Sequence, residues 1–195
     1  MMTRALRFVL SIPATVATLL SIAQQAQAAA AASQTDFDVV VYGASCAGVA
    51  AAVAAGQLGM KVGLFEPLPM IGGMCAAGNL ALHDSGPDGG LGLVFAKLNA
   101  DYYNVTEPIS QPESFVSVQS FNKMLANASV THIKLGCRLT AAAREVREGV
   151  SKVKSISVSC EPAPVTSTVF IDASYDGEIM YAAAAPFESV LDRPR

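Results

Sequence analysis

The sequence predicts an α/β fold in which a parallel β-sheet is extended by a three-strand antiparallel β-meander. Two observations carry this prediction. Residues 37–66 follow the order strand, glycine turn, helix, strand and acid, which is the order of a parallel βαβ unit. Residues 130–171 then alternate between apolar and polar side chains in runs separated by turns, which is typical of antiparallel strands.

The βαβ unit opens with Phe37–Tyr42, a valine-rich run of the kind that forms a strand buried on both faces. The turn occupies Gly43–Gly48. An alanine-rich run without proline, Cys46–Leu58, predicts a helix, and Lys61–Phe65 predicts the second strand. Because parallel strands need a crossover, and a helix is the usual one, we expect this unit to organise the rest of the domain.

The turn fits the dinucleotide-binding pattern G-x-G-x-x-G, with Ser45 in place of the middle glycine. Gly43 permits the tight turn out of the strand, and Gly48 lets the helix pack closely on it. The amide groups of residues 46–48 form the predicted anion site at the helix start. Glu66 follows Gly48 by 18 residues, where a carboxylate accepts hydrogen bonds from ribose hydroxyls. A dinucleotide cofactor is therefore predicted.

A second glycine pair, Gly72-Gly73, lies in the run IGGM shortly after the acid. It suggests a second close approach of backbone to the cofactor. FAD-binding units often have such a pair, because the flavin extends across this loop, whereas a nicotinamide-binding unit does not need it. The sequence thus favours FAD and disfavours a nicotinamide-dependent reductase. Helical spacing of apolar residues predicts two further helices, Leu93–Tyr103 and Phe115–Ala126.

The second half of the chain reads mainly as strands. Val130–Leu135 predicts one strand, and the runs 137–146 and 150–160 predict a hairpin around Arg147-Glu-Gly149. Val165–Ile171 predicts a strand that returns to the main sheet, and a short helix is expected from Asp176 onward. The three-strand meander is therefore an insert in the parallel sheet.

The chain ends carry signals of a different kind. Residues 1–28 read as a cleavable signal peptide, with Arg4 and Arg7, an apolar run, and Ala26-Gln-Ala28 as an A-x-A cleavage pattern. A secreted or periplasmic protein is expected, with residues 29–35 as a flexible N-terminus and no stable membrane span.

Without the signal, the chain has 11 basic and 16 acidic residues, so its net charge is about −5 and nucleic acid is not expected as a partner. The oligomeric state is left open.

The four cysteines show no metal or redox spacing. We expect them to be small, buried hydrophobic side chains, with a Cys137–Cys160 disulfide as the alternative if two neighbouring strands carry them. No metal site is predicted. His83 and Asp84 are candidate residues near the flavin ring, although a surface pair is the simpler interpretation. His132 lies on the alternate face of a strand and is expected to be structural.

Four segments resemble the FAD-dependent oxidoreductase family with a glutathione-reductase-type FAD-binding domain, and in particular its secreted or periplasmic members. They are DVVVYGASCAGVAAAVAA, KVGLFEP with IGGM, ESFVSVQSFNKMLANASV, and VFIDASYDGEIMYAAA. The resemblance implies a Rossmann-like FAD-binding domain over residues 36–185, followed by a divergent tail, 186–195. It implies that Glu66 holds the adenosine ribose, that Met74 lies along the path of the flavin, and that Leu139 meets the adenine. The predicted cofactor-binding residues are Gly43, Ser45, Cys46, Ala47, Gly48, Glu66, Gly72, Gly73, Met74 and Leu139.

Members of this family usually run to several hundred residues, so the chain is expected to be incomplete relative to the family and to correspond to its amino-terminal part. The resemblance therefore implies an FAD-dependent oxidoreductase, or its FAD-binding portion, which passes hydride from an unknown small organic substrate to the flavin. The alternative is a secreted protein that binds a flavin or adenine nucleotide without catalysis. The sequence identifies no catalytic base.

Overall fold

A computed structural model describes residues 36–76 and 89–186. The strands are β1 (Phe37–Tyr42), β2 (Val62–Glu66), β3 (His132–Leu135), β4 (Leu139–Arg147), β5 (Val150–Val158) and β6 (Val165–Asp172). The helices are α1 (Cys46–Gln57), α2 (Gly90–Tyr103), α3 (Ser114–Asn127) and α4 (Glu178–Ala182), with a single 3₁₀ turn at Gly73–Cys75. Across these two ranges, the helices are too short or too polar to cross a bilayer.

The six strands form one sheet in the order β3-β2-β1-β6-β5-β4. β1 pairs in parallel with β2 on one side and with β6 on the other, and β3 extends the parallel part beyond β2. β4 and β5 pair antiparallel, and β5 continues antiparallel onto the start of β6. The predicted α/β class, the parallel sheet and the antiparallel meander are confirmed. The strand predicted at Val130–Leu135 is not antiparallel, however, because β3 pairs in parallel with β2 and lies outside the meander.

β6 belongs to both parts of the sheet, which the sequence did not reveal. Its first residues, Val165 and Thr166, pair with the hairpin, and its later residues from Val169 to Asp172 lie beside β1. The meander is therefore made of β4, β5 and the beginning of the strand that returns to the centre. This continuity joins the hairpin to the parallel sheet through the backbone of β6.

Alternate side chains of β1 supply two apolar cores, one on each face of the sheet. Val39 and Val41 pack with Leu64 and with the helices α1 and α3. Val40 and Tyr42 pack on the other face with Phe65 and with side chains of the hairpin and β6. Burial on both faces explains why this strand reads as an unbroken apolar run.

The cysteines are paired, so the expectation that they are simply buried hydrophobic side chains is wrong, and the alternative Cys137–Cys160 disulfide is confirmed. Cys46 is bonded to Cys75, and Cys137 to Cys160, with Cα separations of 6.7 Å and 5.2 Å. Cys137 precedes β4 and Cys160 follows β5, so the antiparallel register brings their ends together. The pairing of Cys46 with Cys75 depends on a contact between the first turn of α1 and the 3₁₀ turn, which spacing along the chain does not disclose.

Candidate cofactor site

A cleft of about 210 Å³ lies at the carboxyl ends of β1, β2 and β6, and we call it the carboxyl-edge cleft. In sheets of this kind ligands bind outside the carboxyl ends of the strands, at the point where the strand order reverses. β1 is that point, because β2 and β6 lie on its two sides. The residues that line the cleft are Gly43, Ser45, Glu66, Pro67, Leu68, Gly73, Arg138, Ala173, Ser174, Tyr175, Asp176 and Glu178.

The predicted glycine turn brings helix α1 into direct contact with the end of β1. The amide of Gly43 donates a hydrogen bond to the carbonyl oxygen of Phe65 at 2.8 Å. A Cβ atom on Gly48 would lie 1.9 Å from the carbonyl oxygen of Gly43, a distance that no side chain can satisfy. Gly48 is therefore required by the close packing of the helix on the strand, as the sequence pattern predicts.

Ser45, the departure from the glycine pattern, has a structural use. Its hydroxyl caps α1 by accepting from the amide of Gly48 at 3.3 Å, and it donates to the carbonyl oxygen of Ala173 at 2.9 Å. The serine therefore joins the turn after β1 to the loop after β6. Cys46 and Ala47 occupy the first turn of α1, where amide groups have no partner within the helix and favour an anion.

Glu66 lines the cleft but is 6% exposed. One carboxylate oxygen accepts from the amide of Ala44, and the other accepts from the amide of Leu68 at 2.8 Å. The acid thus holds the glycine turn against the end of β2. A carboxylate has about four acceptor positions. Glu66 can therefore keep both amides and still accept ribose hydroxyls.

The second glycine pair lies against the first turn. The amide of Gly72 donates to the carbonyl oxygen of Ala44 at 2.6 Å, and Gly72 forms a parallel bridge with Ser45. Gly73 has a φ of +52°, and a Cβ atom there would lie 2.2 Å from the hydroxyl oxygen of Tyr175. The exposed Met74 donates its amide to the same hydroxyl at 2.7 Å. These glycines are needed where two loops meet at the cleft.

Leu139 is held by Tyr42 and does not line the carboxyl-edge cleft. The fully buried hydroxyl of Tyr42 accepts from the amide of Leu139 at 2.8 Å and donates to a carboxylate oxygen of Glu178 at 2.9 Å. Burial, supported by the neighbouring Glu178 carboxylate, raises the pKa of Tyr42 to about 12. Tyr42 therefore remains protonated at neutral pH and connects β1 to the start of β4 and to α4.

Two features of the cleft were missed by the sequence reading. Among the described residues that line the cleft, Arg138 is the one basic side chain, beside the acids Glu66, Asp176 and Glu178. Arg138 belongs to none of the sequence motifs, so no local pattern marks it as a cleft residue. Asp172 organises the loop after β6 by accepting from the hydroxyl of Ser174 at 2.6 Å. The IDASYDGE segment was the signal for this loop.

A second cavity, of about 510 Å³, lies at the opposite, amino ends of β1, β2 and β3, and we call it the amino-edge cavity. His132 lies there, packed on the rings of Phe37 and Phe65 at centroid distances of 4.7 and 5.5 Å. Burial lowers the pKa of His132, and the nearby carboxylate of Glu161 opposes this effect. These contacts agree with a structural role. The candidates His83 and Asp84 lie outside the described residues.

The carboxyl-edge cleft fits a dinucleotide on three structural grounds. The helix start offers amide groups directly after a tight glycine turn, the buried Glu66 lines the cleft, and Gly73 lies where the second loop meets the first. Fold and site together define a dinucleotide-binding α/β protein.

The chain belongs to the FAD dependent oxidoreductase family, whose sequence model matches residues 38–192. FAD is the cofactor of that family. The predicted family and cofactor are thus confirmed. Among curated protein sequences, none matches this chain.

Solved structures with a similar fold include THI4 of Thermovibrio ammonificans. It is 15% identical with a TM-score of 0.52, over 89% of this chain and 70% of that one. A structure of OTEMO in complex with FAD and NADP is 20% identical with a TM-score of 0.49, over 72% of this chain. The present chain spans only 26% of the OTEMO chain.

Proposed function

We propose that this chain is the FAD-binding portion of an FAD-dependent oxidoreductase and that it binds FAD in the carboxyl-edge cleft. The observation that carries the proposal is the direct joining of the glycine turn to the acid of the next strand. The amide of Ala44 donates to Glu66, and the same turn leads into the first turn of α1. One strand end thus supports both an anion site and a ribose site.

Each residue of the site would bind the part of the cofactor that its own chemistry suits. The amide groups of Cys46 and Ala47 would face the pyrophosphate, because the positive end of the helix dipole favours anions. Glu66 would accept the ribose hydroxyls, and Arg138 would offset the negative charge of three neighbouring carboxylates. Gly73 would let the backbone approach the cofactor along its path.

When bound, FAD supplies the hydride-accepting chemistry, and we propose a small organic molecule as the hydride donor. The protein's part is to orient the cofactor, because Tyr42 holds Glu178 and Ser45 holds the backbone of Ala173 at the cleft. A non-catalytic protein that binds FAD remains the competing proposal. Reduction of the bound flavin by a panel of alcohols, amines and hydroxy acids supports the enzyme, and binding without reduction by any of them supports the competitor.

The binding proposal is tested by titrating the protein with FAD and following the flavin fluorescence. We expect Glu66→Gln to weaken FAD binding by roughly tenfold, since it removes a charge-assisted hydrogen-bond acceptor. Glu161→Gln is the matched control, because it makes the same change at the amino-edge cavity. Equal affinity in all three proteins would show that Glu66 has no ribose role, and absence of binding to the unaltered protein would contradict the proposal.

We also propose that residues 1–28 are a signal peptide and that the protein is secreted or periplasmic. The pairing of all four cysteines supports this, because disulfides form and persist in oxidising compartments. The mass of the protein recovered from the producing organism tests it. A chain that begins at Ala29 is expected, and a chain that retains residues 1–28 would contradict it.

A further inference from the structure

Tyr175 lies in the loop between β6 and α4, within the IDASYDGE segment, and it lines the carboxyl-edge cleft. The residue is 60% exposed. Its ring reaches the second glycine loop, where the hydroxyl accepts a hydrogen bond from the amide of Met74 at 2.7 Å. Across the described ranges 36–76 and 89–186, this is the hydrogen bond that the Tyr175 side chain makes. One solvent-exposed bond thus joins the loop after β6 to the second glycine loop.

The hydroxyl of Tyr175 fills the space that the missing side chain of Gly73 leaves. A Cβ atom on Gly73 would lie 2.2 Å from the hydroxyl oxygen of Tyr175 and 3.1 Å from its Cζ atom. The same Cβ atom would lie 3.2 Å from the Cα atom of Ser45, so this space also borders the first glycine turn. A cofactor that ran from the first turn past Gly73 would therefore meet the phenol of Tyr175.

The backbone beside Tyr175 is held by other residues, so the ring can move without it. The hydroxyl of Ser174 donates to the carboxylate of Asp172 at 2.6 Å and accepts from the amide of Glu178 at 2.9 Å. Exposed side chains change rotamer within picoseconds to nanoseconds. Rotation of the ring away from Met74 therefore breaks one exposed hydrogen bond and leaves the bonds of Ser174 intact.

We propose that Tyr175 is a displaceable side chain that occupies the path of FAD beside Gly73 in the free protein and rotates away when FAD binds. The inference rests on the proposed binding of FAD in the carboxyl-edge cleft. Displacement frees the amide of Met74 to donate to an oxygen of the cofactor. Since only molecules with the ring turned away bind FAD, the closed position of Tyr175 lowers the apparent affinity by the fraction that is open.

The test compares the Kd of FAD for the unaltered protein and for Tyr175→Phe, which keeps the ring and removes the hydroxyl. We expect the Kd to fall roughly fivefold, because FAD no longer competes with the hydroxyl for the amide of Met74. Tyr181→Phe is the matched control, since Tyr181 is 76% exposed on α4 and lies outside the lining of the cleft. The control should leave the Kd unchanged.

Two results of this comparison would overturn the proposal. An equal Kd in Tyr175→Phe and Tyr181→Phe would show that binding does not displace the hydroxyl. A higher Kd in Tyr175→Phe would show that the hydroxyl itself binds the cofactor. An unaltered protein that binds no FAD would instead overturn the proposed function, and this inference with it.

A second variant tests the path beside Gly73. Gly73→Ala adds a methyl group to that space, and we introduce it into the Tyr175→Phe protein so that no hydroxyl competes for the space. We expect the Kd of FAD to rise roughly tenfold above that of Tyr175→Phe alone, because the methyl group blocks the approach. The backbone strain of alanine at a φ of +52° is present with and without FAD, so it does not by itself change the Kd. An unchanged Kd would show that FAD does not pass Gly73 and would overturn the proposal. If this double variant does not fold, Tyr175→Phe decides alone.

Discussion

The two edges of the parallel sheet carry cavities that differ in size and in chemistry. The amino-edge cavity has more than twice the volume of the carboxyl-edge cleft, 510 against 210 Å³. Its walls include Pro162, Pro164 and the ring of Phe37. The smaller cleft is bordered by a glycine turn, a helix start and a buried acid. Volume alone would favour the amino edge, whereas the arrangement of backbone amide groups favours the carboxyl edge, where we propose that the cofactor binds.

The largest expected effect comes from Gly48→Ala, which removes the close packing on which the carboxyl edge depends. Its Cβ atom would lie 1.9 Å from the carbonyl oxygen of Gly43, so the helix must move away from the strand. We expect the free energy of unfolding to fall by about 3 kcal/mol, at the upper end of overpacking costs, and FAD binding to be lost. Urea denaturation and FAD titration measure the two effects.

Gly89→Ala is the matched control for this change. Gly89 has an extended backbone with a φ of 174°, and a Cβ atom there meets no atom within 4 Å. The free energy of unfolding of the Gly89→Ala protein should change by less than about 0.5 kcal/mol. A similar loss of stability in both variants would show that the close approach of Gly48 is not the cause.

The second effect in size is expected from Tyr42→Phe, which removes the hydroxyl between the sheet, the start of β4 and α4. The amide of Leu139 and the carboxylate of Glu178 would each lose a partner. Because the half-buried amide is left without a hydrogen-bond partner, we expect the free energy of unfolding to fall by about 1–3 kcal/mol. Thermal denaturation of the two proteins measures the difference.

The pKa of Tyr42 gives this prediction a second readout. Since it is raised to about 12 in the folded protein, from about 10 in the unfolded chain, its contribution is complete below pH 10 and declines between pH 10 and 12. The difference between the two proteins should therefore narrow over that range. A difference that does not depend on pH above 10 would contradict the role of the hydroxyl.

The smallest effect on stability is expected at the amino edge, from the protonation of the His132 side chain as the pH is lowered. Its pKa is lowered by burial, so below about pH 6.5 the unfolded chain binds a proton more readily than the folded one. Stability contributed by the neutral imidazole is complete above that pH and falls as the pH is lowered toward the folded pKa. The side chain is 35% exposed, so the effect should be small.

His132→Gln tests this directly, because it removes the titration and keeps a polar side chain. Denaturation between pH 5 and 7.5 should show a shallower loss of stability in the variant. FAD binding should be the same in both proteins at pH 7.5. Loss of FAD binding in the variant would show that the amino-edge cavity takes part in cofactor binding. That result would contradict the proposal that FAD binds at the carboxyl edge.

Features encoded by neighbouring residues were predictable from the sequence, and features that join distant parts of the chain were not. The valine run of β1 and the spacing of Gly43 and Gly48 are local signals, and they correspond to the observed strand and to the turn that follows it. The link from Tyr42 to Leu139 spans 97 residues. The dual pairing of β6 and the Cys46–Cys75 disulfide likewise depend on which segments the fold brings together. The Cys137–Cys160 disulfide could be named as an alternative, because the hairpin that joins the two cysteines is a local signal. Arg138 has no local pattern, so only the cleft reveals it.

The central claim is that the carboxyl edge, and not the larger cavity, receives the cofactor. Titration of ¹⁵N-labelled protein with FAD tests it most directly, because each amide signal reports on its own surroundings. We predict that the signals of Cys46, Ala47 and Gly73 shift in proportion to occupancy, while those of Thr131 and His132 stay in place. Shifts confined to Thr131 and His132, with the signals of α1 unchanged, would contradict the account.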